Sequence, residues 1–334
     1  MKLTRYENNP ILQPLPGSSW ENLCVCNPGA WYDGEQVHLL YRAAPEGDEH
    51  PIYFGLATSS NGKDFERSGP DPVFGPLDGT FEGGCVEDPR IVQFGDTYFV
   101  TYATRAYRPG AYYRGTIPLN HYTPDFPPEA PRAIRENLTR SALAATRDFK
   151  SWHRFGPITP AAQDDRDVLL FPERVDRLFV MLHRPSEWVG VDYDCSAPSI
   201  WLSFSDDLLS WRKDHLLATP EADWESKKIG GCTPPLRTEH GWLMLYHGVD
   251  ESQAYHVGAM LLDIENPLKI LGRTAEPILS PEMEYEREGL VPNVVFPCGN
   301  VVINGVLHVY YGGADRCCAL ATARLDELVD HLRG

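Results

Sequence analysis

The chain has 334 residues, of which 30 are Lys or Arg and 47 are Asp or Glu, giving a formal net charge of −17. That charge repels a phosphate backbone at long range and argues against a nucleic-acid partner, so any anionic ligand needs a local cluster of cations. No run approaches the roughly 18 apolar residues of a membrane span, and Met1–Glu7 carries no apolar export segment, so no membrane partner is expected and the expected location is the cytoplasm.

Along the chain, a short apolar run, a tight polar turn and an aromatic-rich run occur together five times. The turns are Asp33-Gly34, Gly95-Asp96, Asp176-Arg177, His240-Gly241 and Asn304-Gly305. Gly and Asn supply the positive φ of tight hairpins, and flanks such as Val37–Tyr41 and Tyr98–Tyr102 alternate as half-buried strands do. Second hairpins are read in Phe54–Thr58, Ala142–Thr146, Ile200–Phe204, Val257–Leu261 and Cys318–Thr322. Four strands in each of five units predict an all-β fold, a five-bladed β-propeller formed by residues 1–334 as a single domain. Its closed ring removes most exposed sheet edges. An irregular β-sandwich is the alternative, and the repeat counts against it.

Positions 34, 95, 177, 241 and 305 step by 61, 82, 64 and 64. The second unit therefore carries about twenty extra residues, assigned to an insertion at about 105–140 that is rich in Tyr, Pro and Arg. It reads either as a surface excursion or as a lid or oligomer contact. Leu325–Leu332 has the periodicity of a short C-terminal helix. Hydrophobic residues, at 42%, suffice for a core, and 29 Pro with 28 Gly suit a fold made of turns. The eight Cys are expected to be buried free thiols, and neither Cys24-Val25-Cys26 nor Cys317-Cys318 has zinc-ligand spacing, so no metal is predicted.

Propellers place their sites where inner strands converge on the axis, so polar residues at matching places in several repeats are the candidates. Glu87-Asp88-Pro89-Arg90 precedes the second inner strand; a lone Asp-Pro is more often a turn. Arg42 ends the first inner strand, Arg166-Asp167 precedes the third, and His183-Arg184-Pro185 ends its hairpin. Lys228 lies before the fourth unit, His247 ends its apolar strand, and Asp315 ends the fifth. Paired carboxylates with aromatics suit a sugar site, where an acid protonates a glycosidic oxygen. Arg166, Arg184, Lys228 and His247 would form a desolvated cage for a small anion, and phosphate matches that arrangement of forks and point charges.

These residues resemble the mannoside phosphorylases of glycoside hydrolase family 130, which are five-bladed propellers. The resemblance runs from Arg5-Tyr6-Glu7-Asn8-Asn9-Pro10-Ile11-Leu12 through Glu87-Asp88-Pro89-Arg90-Ile91 and Leu170-Phe171-Pro172-Glu173-Arg174 to Tyr311-Gly312-Gly313-Ala314-Asp315. The Glu-Asp-Pro-Arg form is closer to the mannooligosaccharide phosphorylase branch than to the mannosylglucose branch. By resemblance, Asp88 is the catalytic acid, acting through the mannose 3-hydroxyl as a relay, and Arg166, Arg184, Lys228 and His247 bind phosphate. Asn27, Arg42, Asp88 and Asp315 line the mannosyl subsite, with Glu87 and Tyr255 beside them.

The implied reaction is inverting phosphorolysis of β-mannooligosaccharides to α-mannose 1-phosphate and a shortened sugar, with inorganic phosphate as co-substrate and no cofactor. A homo-oligomer is also implied by the family. Asp167 departs from the family, where an Asn is common; its charge weakens an anion site unless Arg166 or Lys228 neutralises it. A β-mannoside hydrolase using Glu87 or Asp315 as base, and a non-catalytic sugar-binding propeller, are the competing readings.

Overall fold

Alternating patterns with tight turns leave each repeat one way to satisfy its backbone, which is to pair with itself. The computed structural model describes residues 1–334, and in it the repeats form five antiparallel sheets. Blade one comprises Cys24–Tyr32, Val37–Ala44, Tyr53–Ser59 and Glu66–Arg67, and blade two Cys85–Phe94, Thr97–Arg105, Arg140–Thr146 and Trp152–Pro157. Blade three comprises Asp165–Leu170, Phe179–Pro185, Ile200–Ser205 and Arg212–Ala218. In blade four the inner strand is split into Lys228–Gly231 and Leu236–Arg237, followed by Trp242–Val249, Tyr255–Leu262 and Ile270–Arg273. Pro234-Pro235 lies at the split, where two missing N–H groups interrupt the ladder.

Blade five contains Val295–Ile303, Val306–Gly313 and Cys317–Arg324, and its outermost strand is Thr4–Arg5 from the other end of the chain. Thr4 pairs with Thr322 and Arg5 with Ala321, which closes the ring. Two residues are too few to carry a period, so the sequence pattern does not reveal this closure. The five predicted turns all join first and second strands, and the five runs read as second hairpins are the third strands. The tail helix is Leu325–Arg333. No helix is long and apolar enough to cross a membrane.

Apolar side chains from neighbouring blades meet in five large buried clusters, one per blade interface. Leu40, Phe54 and Val100 join blades one and two, and Leu245, Val257, Val295 and Val309 join blades four and five. Each fully buried side chain of this size contributes about 1.5–3 kcal/mol. All eight Cys are buried thiols.

Four blades also share a buried polar lock. A Glu ahead of the inner strand accepts a hydrogen bond from a Tyr hydroxyl of the second strand and pairs with an Arg of the fourth. In blade one these are Glu21, Tyr41 (3.0 Å) and Arg67 (2.9 Å); in blade two, Glu82, Tyr102 (2.7 Å) and Arg154. Blade four uses Glu225, Tyr246 (2.9 Å) and Arg273 (2.7 Å), and blade five Glu286, Tyr311 (2.7 Å) and Arg5 (2.8 Å). Blade three substitutes His183, whose ring nitrogens contact Asp165 and Ser203 at 2.9 Å each.

Tyr246→Phe leaves Glu225 with one partner fewer in a dry setting. The expected loss is about 1.5–3 kcal/mol, read as a lower urea midpoint at unchanged slope; an unchanged midpoint would contradict the lock.

Candidate active site

The lock fixes more than stability, because side chains alternate along a strand. With Tyr41, His183 and Tyr246 turned into the blade, the next residues, Arg42, Arg184 and His247, line the axial cavity. Arg42 thus sits on a second strand, Val37–Ala44, and not at the end of an inner strand as its position in the repeat suggested.

The inner strands supply the opposing groups through bulges. Asn27, Asp88 and Asp167 occupy equivalent places in blades one, two and three, each with left-handed φ (47°, 53° and 56°) and each at a shift in strand register. Asn and Asp tolerate this region better than other side chains, and a bulge re-aims the residue it carries. Glu87-Asp88 and Arg166-Asp167 therefore lie inside inner strands, whereas the sequence put them just before. Lys228 likewise opens the inner strand of blade four. Space for this convergence comes from Gly230, where a Cβ would lie 2.3 Å from an Asp167 carboxylate oxygen.

All ten residues singled out from the sequence line one cavity of about 190 Å³ at the axis. Larger clefts of 770 and 480 Å³ exist elsewhere, so convergence of charge distinguishes this one, not size. Its two halves differ. On one side Arg42 Nη1 lies 3.2 Å from Asp88, 3.4 Å from Glu87 and 3.7 Å from Asp315, and Asn27 donates to Asp88 at 2.8 Å. Burial, with Asp88 and Glu87 nearby, pushes Asp315 up to about 6 against the pull of Arg42. For Glu87 burial acts upward, but Arg42 and Arg105 prevail and hold it below its usual range. Asp315 is therefore the more readily protonated of these two.

The other half holds the cations. Arg166 and Arg184 are directly opposed across two strands, a repulsive pairing that two carboxylates offset. Arg166 Nε and Nη2 contact Asp164 at 2.6 and 2.8 Å, and Arg184 Nε contacts Asp167 at 2.6 Å while its Nη1 reaches Ser186 at 3.2 Å. Nη1 of Arg166 and Nη2 of Arg184 keep no protein partner. Asp167 is neutralised by Arg184, with Arg90 at 3.7 Å, and not by Arg166 or Lys228 as the sequence suggested. Burial would raise its pKa, but Arg184 and its neighbours hold it well below the usual range.

Lys228 donates to the Tyr255 hydroxyl at 2.8 Å; burial, assisted by Arg184, lowers it to about 8. His247 is pulled down to about 3, by burial first and then by Arg184, Lys228 and Arg90 against Asp167. It is a neutral donor at neutral pH, so the expected cage of four cations contains three. Tyr255, read with the sugar side, stacks on His247 at 5.6 Å in the cationic half.

Sequence reasoning missed Asp164, Ser186, Phe296 and Tyr112. Asp164 adjoins the Asp165-Arg166-Asp167 run and was within reach of inspection. Tyr112 was not, because it lies in the insertion, which spans from the second to the third strand of blade two and brings this ring into the cavity wall.

A five-bladed ring with an axial polar cavity defines the class, the propeller fold shared with a thermostable family-43 glycoside hydrolase (TM-score 0.61, 16% identity). Within that class, the beta-1,4-mannooligosaccharide phosphorylase family model of glycoside hydrolase family 130 matches residues 2–116 and 133–334, and the chain belongs to this family. It is 33% identical over 335 residues to a 1,2-beta-oligomannan phosphorylase of a Thermoanaerobacter species, covering 98% of this chain and 99% of the relative. A beta-1,4-mannooligosaccharide phosphorylase of Ruminococcus albus is 36% identical over 200 residues, 57% of each chain. The solved beta-1,2-mannobiose phosphorylase of Listeria innocua, in complex with beta-1,2-mannobiose, superposes with a TM-score of 0.80 at 27% identity over 99% of both chains.

Asp167→Ala removes the counter-charge of a guanidinium whose side chain is only 6% exposed. Leaving one member of a buried pair uncompensated costs about 3–5 kcal/mol. Calorimetry should show a clear fall in Tm, and an unaltered Tm would refute the compensation.

Proposed function

We propose that this protein catalyses inverting phosphorolysis of β-mannosides, releasing α-mannose 1-phosphate and a shortened sugar. One observation carries the reading: the unpartnered edges of Arg166 and Arg184, together with Lys228, converge on the same cavity as Asp88. Arginine forks and an ammonium suit the planar and point-charge recognition of phosphate. Held there, a phosphate oxygen attacks C1 as the bond to the leaving sugar breaks, and the leaving oxygen takes a proton originating at Asp88.

Inversion by water would need a second carboxylate as base. Phosphate is already a nucleophile and needs orientation more than deprotonation, so a single acid and no cofactor suffice. Support for the linkage comes from the relatives. Two relatives matched over 98% of this chain and 99% of their own, at 33% and 34% identity, are named as 1,2-β-oligomannan and β-1,2-mannobiose phosphorylases, whereas the β-1,4-mannooligosaccharide phosphorylase aligns over 57% of the chain and a 4-O-β-D-mannosyl-D-glucose phosphorylase is only 27% identical. We take β-1,2-mannosides as the preferred substrates.

The test incubates purified protein with β-1,2- or β-1,4-mannobiose, with and without inorganic phosphate, and follows mannose 1-phosphate. Turnover of the β-1,2 disaccharide is expected only with phosphate; phosphate-independent release of mannose would establish hydrolysis instead. Asp88→Asn should cut kcat by about 10²–10⁴-fold while preserving sugar binding in calorimetry, and unimpaired turnover would remove Asp88 from its role.

Phosphate recognition should also depend on pH. Lys228 carries its charge below about 8 and loses it above, so KM for phosphate should rise between about pH 7 and about pH 9. Lys228→Ala should raise that KM by roughly 10- to 100-fold and flatten this rise; the same pH dependence in wild type and variant would exclude Lys228 as its source.

A further inference from the structure

The insertion of blade two does not stay over its own blade. It crosses to the loop of blade one that joins the second and third strands, where the Gly110 N–H donates to the Glu49 carbonyl at 3.1 Å and the Ala111 N–H to the Asp48 carbonyl at 2.8 Å. Arg114 pairs with the Asp48 carboxylate at 3.1 Å. Between these anchors the turn Tyr112–Arg114 presents Tyr112 to the axial cavity. His50, 1% exposed, lies underneath, its ring edge-on to Tyr113 at 5.0 Å and to Tyr112 at 6.2 Å.

A second layer braces the turn. Gly110 has φ of +77°, and Ile117 packs so close that a Cβ on Gly110 would lie 3.1 Å from its side chain and 3.5 Å from the Tyr122 ring. Asn120 donates its backbone N–H to the Pro109 carbonyl at 3.1 Å, and its side-chain oxygen accepts from Arg105 and Asn137. Ile117, Asn120 and Tyr122 all fall in residues 117–132, the stretch that the family pattern does not match. The strap that carries Tyr112 is therefore held in place by a segment peculiar to this chain relative to that pattern.

Position in the cavity gives Tyr112 a separate task from the other aromatic rings. Tyr255 and Phe296 pack on His247, at 5.6 and 5.0 Å, in the cationic half. Tyr112 instead lines the cavity where the charges of Arg42, Glu87 and Asp315 reach its hydroxyl, which burial keeps protonated. A rigid ring with a polar tip beside carboxylates can meet the C–H face of a pyranose while the carboxylates take its hydroxyls.

We propose that Tyr112 is a specificity-determining residue for the sugar substrate, its ring forming the apolar wall against which the mannoside lies, and that residues 117–132 set the position of that wall. This rests on the phosphorolysis reading above for the identity of the sugar.

The experiment measures KM for β-1,2-mannobiose and for inorganic phosphate separately in wild type, Tyr112→Ala, Tyr112→Phe and Tyr122→Ala. Tyr112→Ala is expected to raise the mannobiose KM about tenfold and leave the phosphate KM within twofold, whereas Tyr112→Phe keeps the ring and shifts the mannobiose KM less than Tyr112→Ala does. Tyr122→Ala, which acts through the strap, should move the mannobiose KM in the same direction by a smaller factor, with the phosphate KM again unchanged. An unchanged mannobiose KM in Tyr112→Ala overturns the proposal, as does an equal rise in both constants, which would mean general damage. Wild-type turnover with phosphate, measured in the same series, tests the underlying reaction on its own.

Discussion

The site depends on a buried carboxylate that lies outside it. In four blades a Glu, at most 1% exposed, holds a Tyr of the second strand and an Arg of the fourth, tying the sheet together across its width. A carboxylate in such a dry place is tolerable only with a cation and further hydrogen-bond donors. Once the Tyr is held inward, the pleat of the strand turns its neighbour toward the axis. Arg42 and His247 owe their direction to Tyr41 and Tyr246, and Arg184 owes its own to His183. The chemistry of the cavity is thereby referred to the buried interior of the blades.

Charge compensation is the second organising constraint. A chain with net charge −17 gathers guanidinium and ammonium groups in one half of its cavity without leaving them bare. Asp164 and Asp167 each hold an arginine by part of its fork and leave another part of it unpartnered. The arrangement keeps two opposed arginines at short range and fixes their planes, so little orientation remains to be lost on binding an anion. Burial also sets protonation, with His247 neutral and Lys228 near the point of losing its charge.

The ring of five was legible in the sequence because Gly and Asn turns recur at regular steps, and all ten candidate residues converge because matching places in the repeats of a propeller line one axis. Local geometry was less legible. Bulges at Asn27, Asp88 and Asp167 look like turns in a linear reading, since an Asx residue suits either. The locks had left a mark, as Trp20-Glu21, Phe81-Glu82, Trp224-Glu225 and Tyr285-Glu286 repeat an aromatic residue before Glu, but blade three lacks it. Tyr112 had no such mark, because a loop position gains its meaning from where the loop lands. The partner of Asp167 was misjudged for a related reason: Arg166 is adjacent in sequence, whereas Arg184 is adjacent across the hairpin.

Closure through Thr4 and Arg5 has a consequence for how the protein comes into being. Thr4 and Arg5 find their partners, Thr322 and Ala321, across the whole length of the ring, a sequence separation that places this pairing among the slow, non-local ones. Until then, Cys317–Arg324 is an unprotected sheet edge, and Glu286 lacks the guanidinium of Arg5. One short contact thus completes a hydrogen-bond ladder and discharges a buried anion in the same event, so the final blade gains its sheet edge and its electrostatic balance together.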